Sequence, residues 1–240
     1  MKKIILLLIT LVVFSSCTSD NENNITSSSS LKIIITNTSE ENTLQTLEYF
    51  FNTEGKVIKE TFINTTNPEY NSVSTFQYDN LGRVSKEIRN NEIVTTVVWN
   101  GSTATLLGNN TNGNPSISYT FLNEKVIESN FMGTIHKYNY DGNDNVISEE
   151  QADSVFVEYL NYDTTLLNPM YLIKSIGVLR MSSNPYFKNF YQTKKAYPYQ
   201  GDDYFFPLTY FQFQKTVSND NKIIKITNNE NFYTSKFEYN

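Results

Sequence analysis

Phe76-Gln-Tyr-Asp-Asn-Leu-Gly-Arg-Val-Ser-Lys-Glu87 is the stretch that decides the fold. Asp79 follows an aromatic, Gly82 comes three positions later, and a β-branched Val84 comes next but one. A type I turn favours Asp, Asn or Ser first and Gly fourth. A left-handed residue closing such a turn is the usual longer hairpin connection. The segment therefore predicts strand, reversal, strand, with Tyr78 and Val84 meeting as an aromatic–aliphatic pair. The pattern returns in Tyr49-Phe-Phe-Asn-Thr-Glu-Gly-Lys-Val-Ile-Lys-Glu60 and in Tyr138-Asn-Tyr-Asp-Gly-Asn-Asp-Asn-Val-Ile-Ser-Glu149. A looser copy is Ser218-Asn-Asp-Asn-Lys-Ile-Ile-Lys225. The first turn positions are then Asn52, Asp79, Asp141 and Ser218; the closing positions are Gly55, Gly82, Asp144 and Asn221. Gly, Asn and Asp are the residues enriched at positive φ.

Outward from these copies the chain keeps the same texture. Short runs rich in Val, Ile, Thr, Tyr and Phe alternate with Asn, Asp and Gly, and no long stretch carries helical periodicity. Asn100-Gly101 and Asn123-Glu124 read as further hairpin turns, and Asn112-Gly113-Asn114-Pro115 as a break between hairpins. Without helical crossovers the sheet is an antiparallel meander. The expected class is mainly β: about 10–14 strands curled into an open or partly closed barrel. Asn168 followed by Pro169 is a helix start, predicting one short helix near 169–178. Residues 182–208, with Pro185, Pro198 and Pro207, read as an irregular aromatic insertion.

Composition narrows the function. The 240 residues contain one Cys and one His, which excludes an internal disulfide framework, a Cys-based zinc cluster and a multi-His metal site. A net charge of −6 argues against a binder of nucleic-acid backbones. No cofactor is implied.

Residues 1–16 carry Lys2 and Lys3, an apolar run from Ile4 to Phe14, and the small Ser15 and Ser16. That order is a secretory signal peptide, and the run is too short to span a bilayer. Cys17 follows at once and resembles the lipobox of bacterial lipoproteins, with Phe14 in place of the usual Leu. The resemblance implies lipidation of Cys17 and anchoring in the membrane by acyl chains. Residues 17–30 are polar, end in four serines, and read as a disordered tether. Asp20 and Glu22 resemble the acidic signal that sends Bacteroidota lipoproteins to the cell surface. Residues 31–240 then form a single β-rich domain.

Tyr78-Asp-Asn-Leu-Gly-Arg-Val84 also matches the core of the YD (RHS-type) repeat. Large YD-repeat proteins build a closed β-shell from many copies, for which this chain is too short. As a whole it resembles the small Bacteroidota surface lipoproteins with degenerate YD-like hairpins. That resemblance implies an outer-membrane lipoprotein at the cell surface or on the periplasmic face, and implies no chemistry.

Individual residues point the same way. His136 has no G-x-S-x-G or other nucleophile motif around it and reads as a strand residue, so no catalytic residue is assigned. Asp141, Asn143 and Asn145 echo a calcium loop, but Val146 and Ala152 stand where Gly and Glu are needed. The pairs Glu149-Glu150 and Asp202-Asp203 read as solvated surface. Most rings between Tyr186 and Phe213 read as core, whereas Tyr197, Tyr199 and Tyr204, near Pro198 and the Gly201-Asp202-Asp203 turn, are the candidate binding surface. The expected function is a lipid-anchored, non-enzymatic binding module with a glycan, lipid or protein ligand. A carrier of acyl chains and a glycan-active enzyme with two convergent carboxylates are the competitors.

Overall fold

Each YD-like copy forms the predicted turn. Gly55, Gly82, Asp144 and Asn221 have φ of 75°, 76°, 67° and 60°. The Asn52 Oδ1 accepts the N–H groups of Glu54 and Lys56 at 3.0 and 2.9 Å. Asp79 and Asp141 repeat this with the residues two and four positions on. A side-chain oxygen that takes up two turn N–H groups is why Asn or Asp opens the loop. Asn90-Asn91, Asn123-Glu124 and Met132-Gly133 have positive φ at both residues, the two-residue turn matched to strand twist.

The computed structural model describes residues 32–38, 44–108, 117–151, 155–180, 188–200, 203–204, 209–228 and 233–239. The signal peptide, Cys17 and the tether lie outside them. The strands are β1 (Lys32–Thr38), β2 (Leu44–Phe51), β3 (Val57–Asn64), β4 (Ser72–Tyr78), β5 (Val84–Arg89), β6 (Glu92–Asn100), β7 (Thr103–Gly108), β8 (Ile117–Leu122) and β9 (Lys125–Phe131). They continue with β10 (Thr134–Tyr140), β11 (Val146–Gln151), β12 (Val155–Leu167), β13 (Asn189–Gln200), β14 (Asp203–Tyr204), β15 (Thr209–Val217), β16 (Ile223–Asn228) and β17 (Tyr233–Tyr239). Each pairs antiparallel with its sequence neighbours except β14, which pairs with β13 alone, so that β13 pairs directly with β15. The ring closes where β1 meets β17, with Ile35 opposite Phe237. The barrel is thus fully closed, and its sixteen ring strands, with the two-residue β14 set on β13, exceed the expected number. Part of the excess lies in the supposed insertion. Residues 189–200 form β13, which pairs with β12 from Val155 opposite Pro198 to Leu167 opposite Asn189.

Pairing separates two faces. Buried residues point inward, including Ile33, Tyr49, Phe51, Val57, Val84, Tyr119 and Val146. Outward positions such as Thr75, Gln77, Lys137, Glu150, Gln212, Gln214, Lys225 and Lys236 are exposed and polar. The faces are mixed, since Val73, Ile93 and Val98 are exposed and Glu60, Glu87, His136 and Glu149 are buried beside the apolar core.

The two ends also differ. One rim carries the YD-like turns and the start of β1, since Lys32 pairs with Phe50. The other carries the β3–β4, β5–β6, β9–β10 and β13–β14 connections. At the turn rim, Asn168 Oδ1 accepts the Met170 N–H at 3.0 Å, as an N-cap before Pro169 should. The helix it starts is a 3₁₀ segment, Pro169–Ile176, kinked at Ile173 and followed by α1 (Gly177–Arg180). Ile173, Ile176 and Val178 are buried in the barrel core. The Ser175 Oγ accepts the Val57 N–H at 3.0 Å.

Candidate functional site in the barrel lumen

An aromatic clasp joins successive hairpins along the turn rim. The Tyr78 hydroxyl donates to the Val57 carbonyl at 2.6 Å, Tyr140 to Val126 at 2.7 Å and Tyr239 to Ile223 at 2.8 Å. The Trp99 indole N–H donates to the Val84 carbonyl at 2.9 Å, and Tyr162 donates likewise to Val146. The residue before each accepting carbonyl lays a cation on the ring. Lys56 stands 5.6 Å from the centre of Tyr78, Arg83 4.7 Å from Trp99, Lys125 5.4 Å from Tyr140 and Lys222 5.3 Å from Tyr239. The Lys/Arg–Val step of the repeat thus supplies both a cation–π partner and an acceptor. Asn145 replaces the cation before Val146. It is fully buried and accepts the Asn189 N–H at 3.1 Å, tying the turn to β13. This explains the calcium-like spacing as turn chemistry.

One step above the clasps, each clear copy of the repeat points a glutamate inward. Tyr49 pairs with Glu60, Phe76 with Glu87 and Tyr138 with Glu149. All three acids are buried, at 6%, 2% and 5% exposure, which corrects the reading of Glu149 as solvated surface. The cause is one extra residue in the strand after each turn. Phe51 faces Val57 and Phe50 faces Lys59, so Ile58 has no partner and the alternation slips by one. Ser85, Ile147 and Ile224 are the equivalent bulges.

Arg180 grips two of these acids at once. Its Nε and Nη2 each donate to Glu60 at 2.9 Å, and its Nη1 and Nη2 donate to Glu87 at 3.1 and 3.0 Å. The guanidinium also lies 5.3 Å from the Phe76 ring centre. Burial pushes the Glu87 carboxyl up, but the Arg180 hydrogen bonds and charge, with help from Arg89 and Ser74, bring it down to about 2.

Glu149 is satisfied differently. Its Oε1 pairs with His136 Nδ1 at 2.8 Å and its Oε2 accepts the Tyr159 hydroxyl at 2.9 Å. Burial first, and the Glu149 charge second, push the Tyr159 phenol far up. Beside this cluster Ser129 Oγ and the Tyr138 hydroxyl share a hydrogen bond at 3.0 Å. The single histidine therefore lies on β10 as expected, buried and paired, in a polar network that no motif announced.

The candidate tyrosines lie elsewhere. Tyr197 is on the outer face, where its hydroxyl donates to Glu158 at 2.7 Å and its ring lies 6.0 Å from Phe156. The Glu158 hydrogen bond, helped by desolvation, raises the Tyr197 phenol to about 12. Tyr199 and Tyr204 are register partners between β13 and β14 at the rim opposite the turns. The core expectation for the aromatic tract holds for Phe190, which is buried, and for Tyr191, which packs edge-on against Tyr159 and Phe213. Asp202, Tyr186 and Phe187 lie outside the described residues. Among the described residues no group of three or more His, Cys, Asp or Glu side chains is placed to hold a metal ion.

No family model matches the chain, and no curated protein matches it. A solved structure, the porin-like protein from Bacteroides uniformis ATCC 8492, is similar over 87% of this chain and 96% of that one, with 11% sequence identity and a TM-score of 0.39.

Proposed function

We propose that this protein is a lipid-anchored barrel of the cell envelope that works as a non-enzymatic binding module, of the kind found among small Bacteroidota surface lipoproteins with YD-like hairpins. The observation that carries this reading is the orientation of the two faces. Outward positions such as Thr75, Gln77, Lys137, Glu150, Gln214 and Lys225 carry exposed polar side chains where a membrane-spanning barrel turns apolar ones to lipid, which supports a separate anchor. The lipidated Cys17 and the tether supply that anchor. β1 starts at the turn rim, and Tyr197, Tyr199 and Tyr204 lie on strands toward the opposite end.

Both competitors lose support inside the barrel. An acyl chain would meet the ring of Glu60, Glu87 and Glu149 above the clasps. A glycosidase needs one carboxyl with a raised pKa. Glu60 and Glu87 do converge, but Arg180 holds both and the Glu87 carboxyl is lowered, the wrong direction for a proton donor.

Labelling cells with radioactive palmitate tests the anchor. Wild-type protein takes up label and sediments with membranes, and Cys17→Ser does neither. A Cys17→Ser protein that stays labelled and membrane-bound would refute lipidation. Ligand screening with Tyr197→Ala, Tyr199→Ala and Tyr204→Ala tests the far rim, and binding that survives all three changes removes those residues from the site.

A further inference from the structure

Tyr119, Ser129 and His136 form one row across the inner wall. Ser129 is the register partner of Tyr119 on β8 and of His136 on β10. All three are buried, Tyr119 at 2% exposure and the His136 side chain at 10%. Ser129 is satisfied by Tyr138. Two atoms of the row are not. The Tyr119 hydroxyl has no hydrogen-bond partner among the described residues, and neither does His136 Nε2, although Nδ1 is fixed by Glu149. Buried polar atoms are nearly always paired, and an orphan marks a water, an ion or a ligand that the protein atoms leave out. Two orphans flanking one serine make a stronger case than either alone.

Resting on the reading of the barrel as a binding module, we infer that the Tyr119–Ser129–His136 row is a subsite for a hydroxyl group of a small neutral polyhydroxylated ligand. When the ring is neutral, Nδ1 donates to Glu149 and Nε2 presents a lone pair. The Tyr119 O–H is a free donor. Hydroxyl groups of one polyol can donate to the first and accept from the second. An anion would face the Glu149 carboxylate, already buried behind the ring. A cation would gain only a phenol and an imidazole.

Because His136 is the only histidine in the chain, selective ¹⁵N-histidine labelling of the full-length protein gives one pair of imidazole signals. The probes are glycerol, glucose and N-acetylglucosamine. The expected result is a saturable shift of the Nε2 signal with at least one of them, weakened about tenfold in Tyr119→Phe, the loss of one hydrogen bond. Nε2 signals that none of the three moves, at concentrations up to tens of millimolar, mean an adventitious water only and overturn the inference. So does a shift of equal affinity in Tyr119→Phe. Calorimetric sugar binding that leaves Nε2 unmoved also overturns it, while leaving the wider binding reading in place. Tyr119→Phe removes only an unpaired hydroxyl and should fold. If it does not, the wild-type Nε2 response decides alone.

Discussion

At the scale of single residues, the turn positions carry most of the fold. Gly55 closes its turn at φ 75° with nothing within 4 Å of where a Cβ would sit. Gly55→Ala therefore costs only the left-handed backbone, about 1–2 kcal/mol, read as a lower urea midpoint at unchanged slope. The four closing residues could be named from the chain because their φ preference is local. The inward glutamates could not. Strict alternation from Val57 places Lys59 inside and Glu60 outside, and the unpaired Ile58 reverses that. The extra residue is a property of the paired strands, so neither half of the hairpin shows it alone. His136 was legible as a strand residue, but its partner Glu149 depends on that same slip.

Between neighbouring elements, the clasps and the helical segment Pro169–Arg180 can be tested separately. Tyr239→Phe keeps the ring over Lys222 and loses one hydrogen bond to Ile223, so it should lower stability by about 1 kcal/mol in urea unfolding. Arg180→Met leaves Glu60 and Glu87 buried with their main counter-charge gone. The expected loss is about 3–5 kcal/mol, largely restored when Glu60→Gln and Glu87→Gln are added. The same cluster sets a pH dependence. The folded-state pKa of Glu87 lies below its value of 4.5 in the unfolded chain, at about 2. Its contribution is therefore complete above about pH 4.5 and is lost as pH falls toward 2. Unfolding midpoints measured across that window should fall in wild type and flatten in Glu87→Gln. Asn168-Pro169 announced the helical segment through its cap, whereas Arg180 gave no signal, because its partners come from strands more than ninety residues away in the chain.

For the molecule as a whole, the polar outer wall predicts that residues 31–240 expressed alone stay monomeric and soluble without detergent in gel filtration. A protein that needs detergent to avoid aggregation would contradict that distribution of side chains. The meander was legible because each hairpin is specified within some dozen residues. Closure was not, since it depends on accumulated twist and on a single non-local seam.

That seam has a cost in time. Every other ladder in the ring joins strands close in sequence, whereas β1 must wait for β17 at Tyr233–Tyr239. A polypeptide delivered amino end first holds an open edge at Lys32–Thr38 until β17 arrives. Chains cut short at the carboxyl end, even by one hairpin arm, would keep that edge permanently and recruit one another.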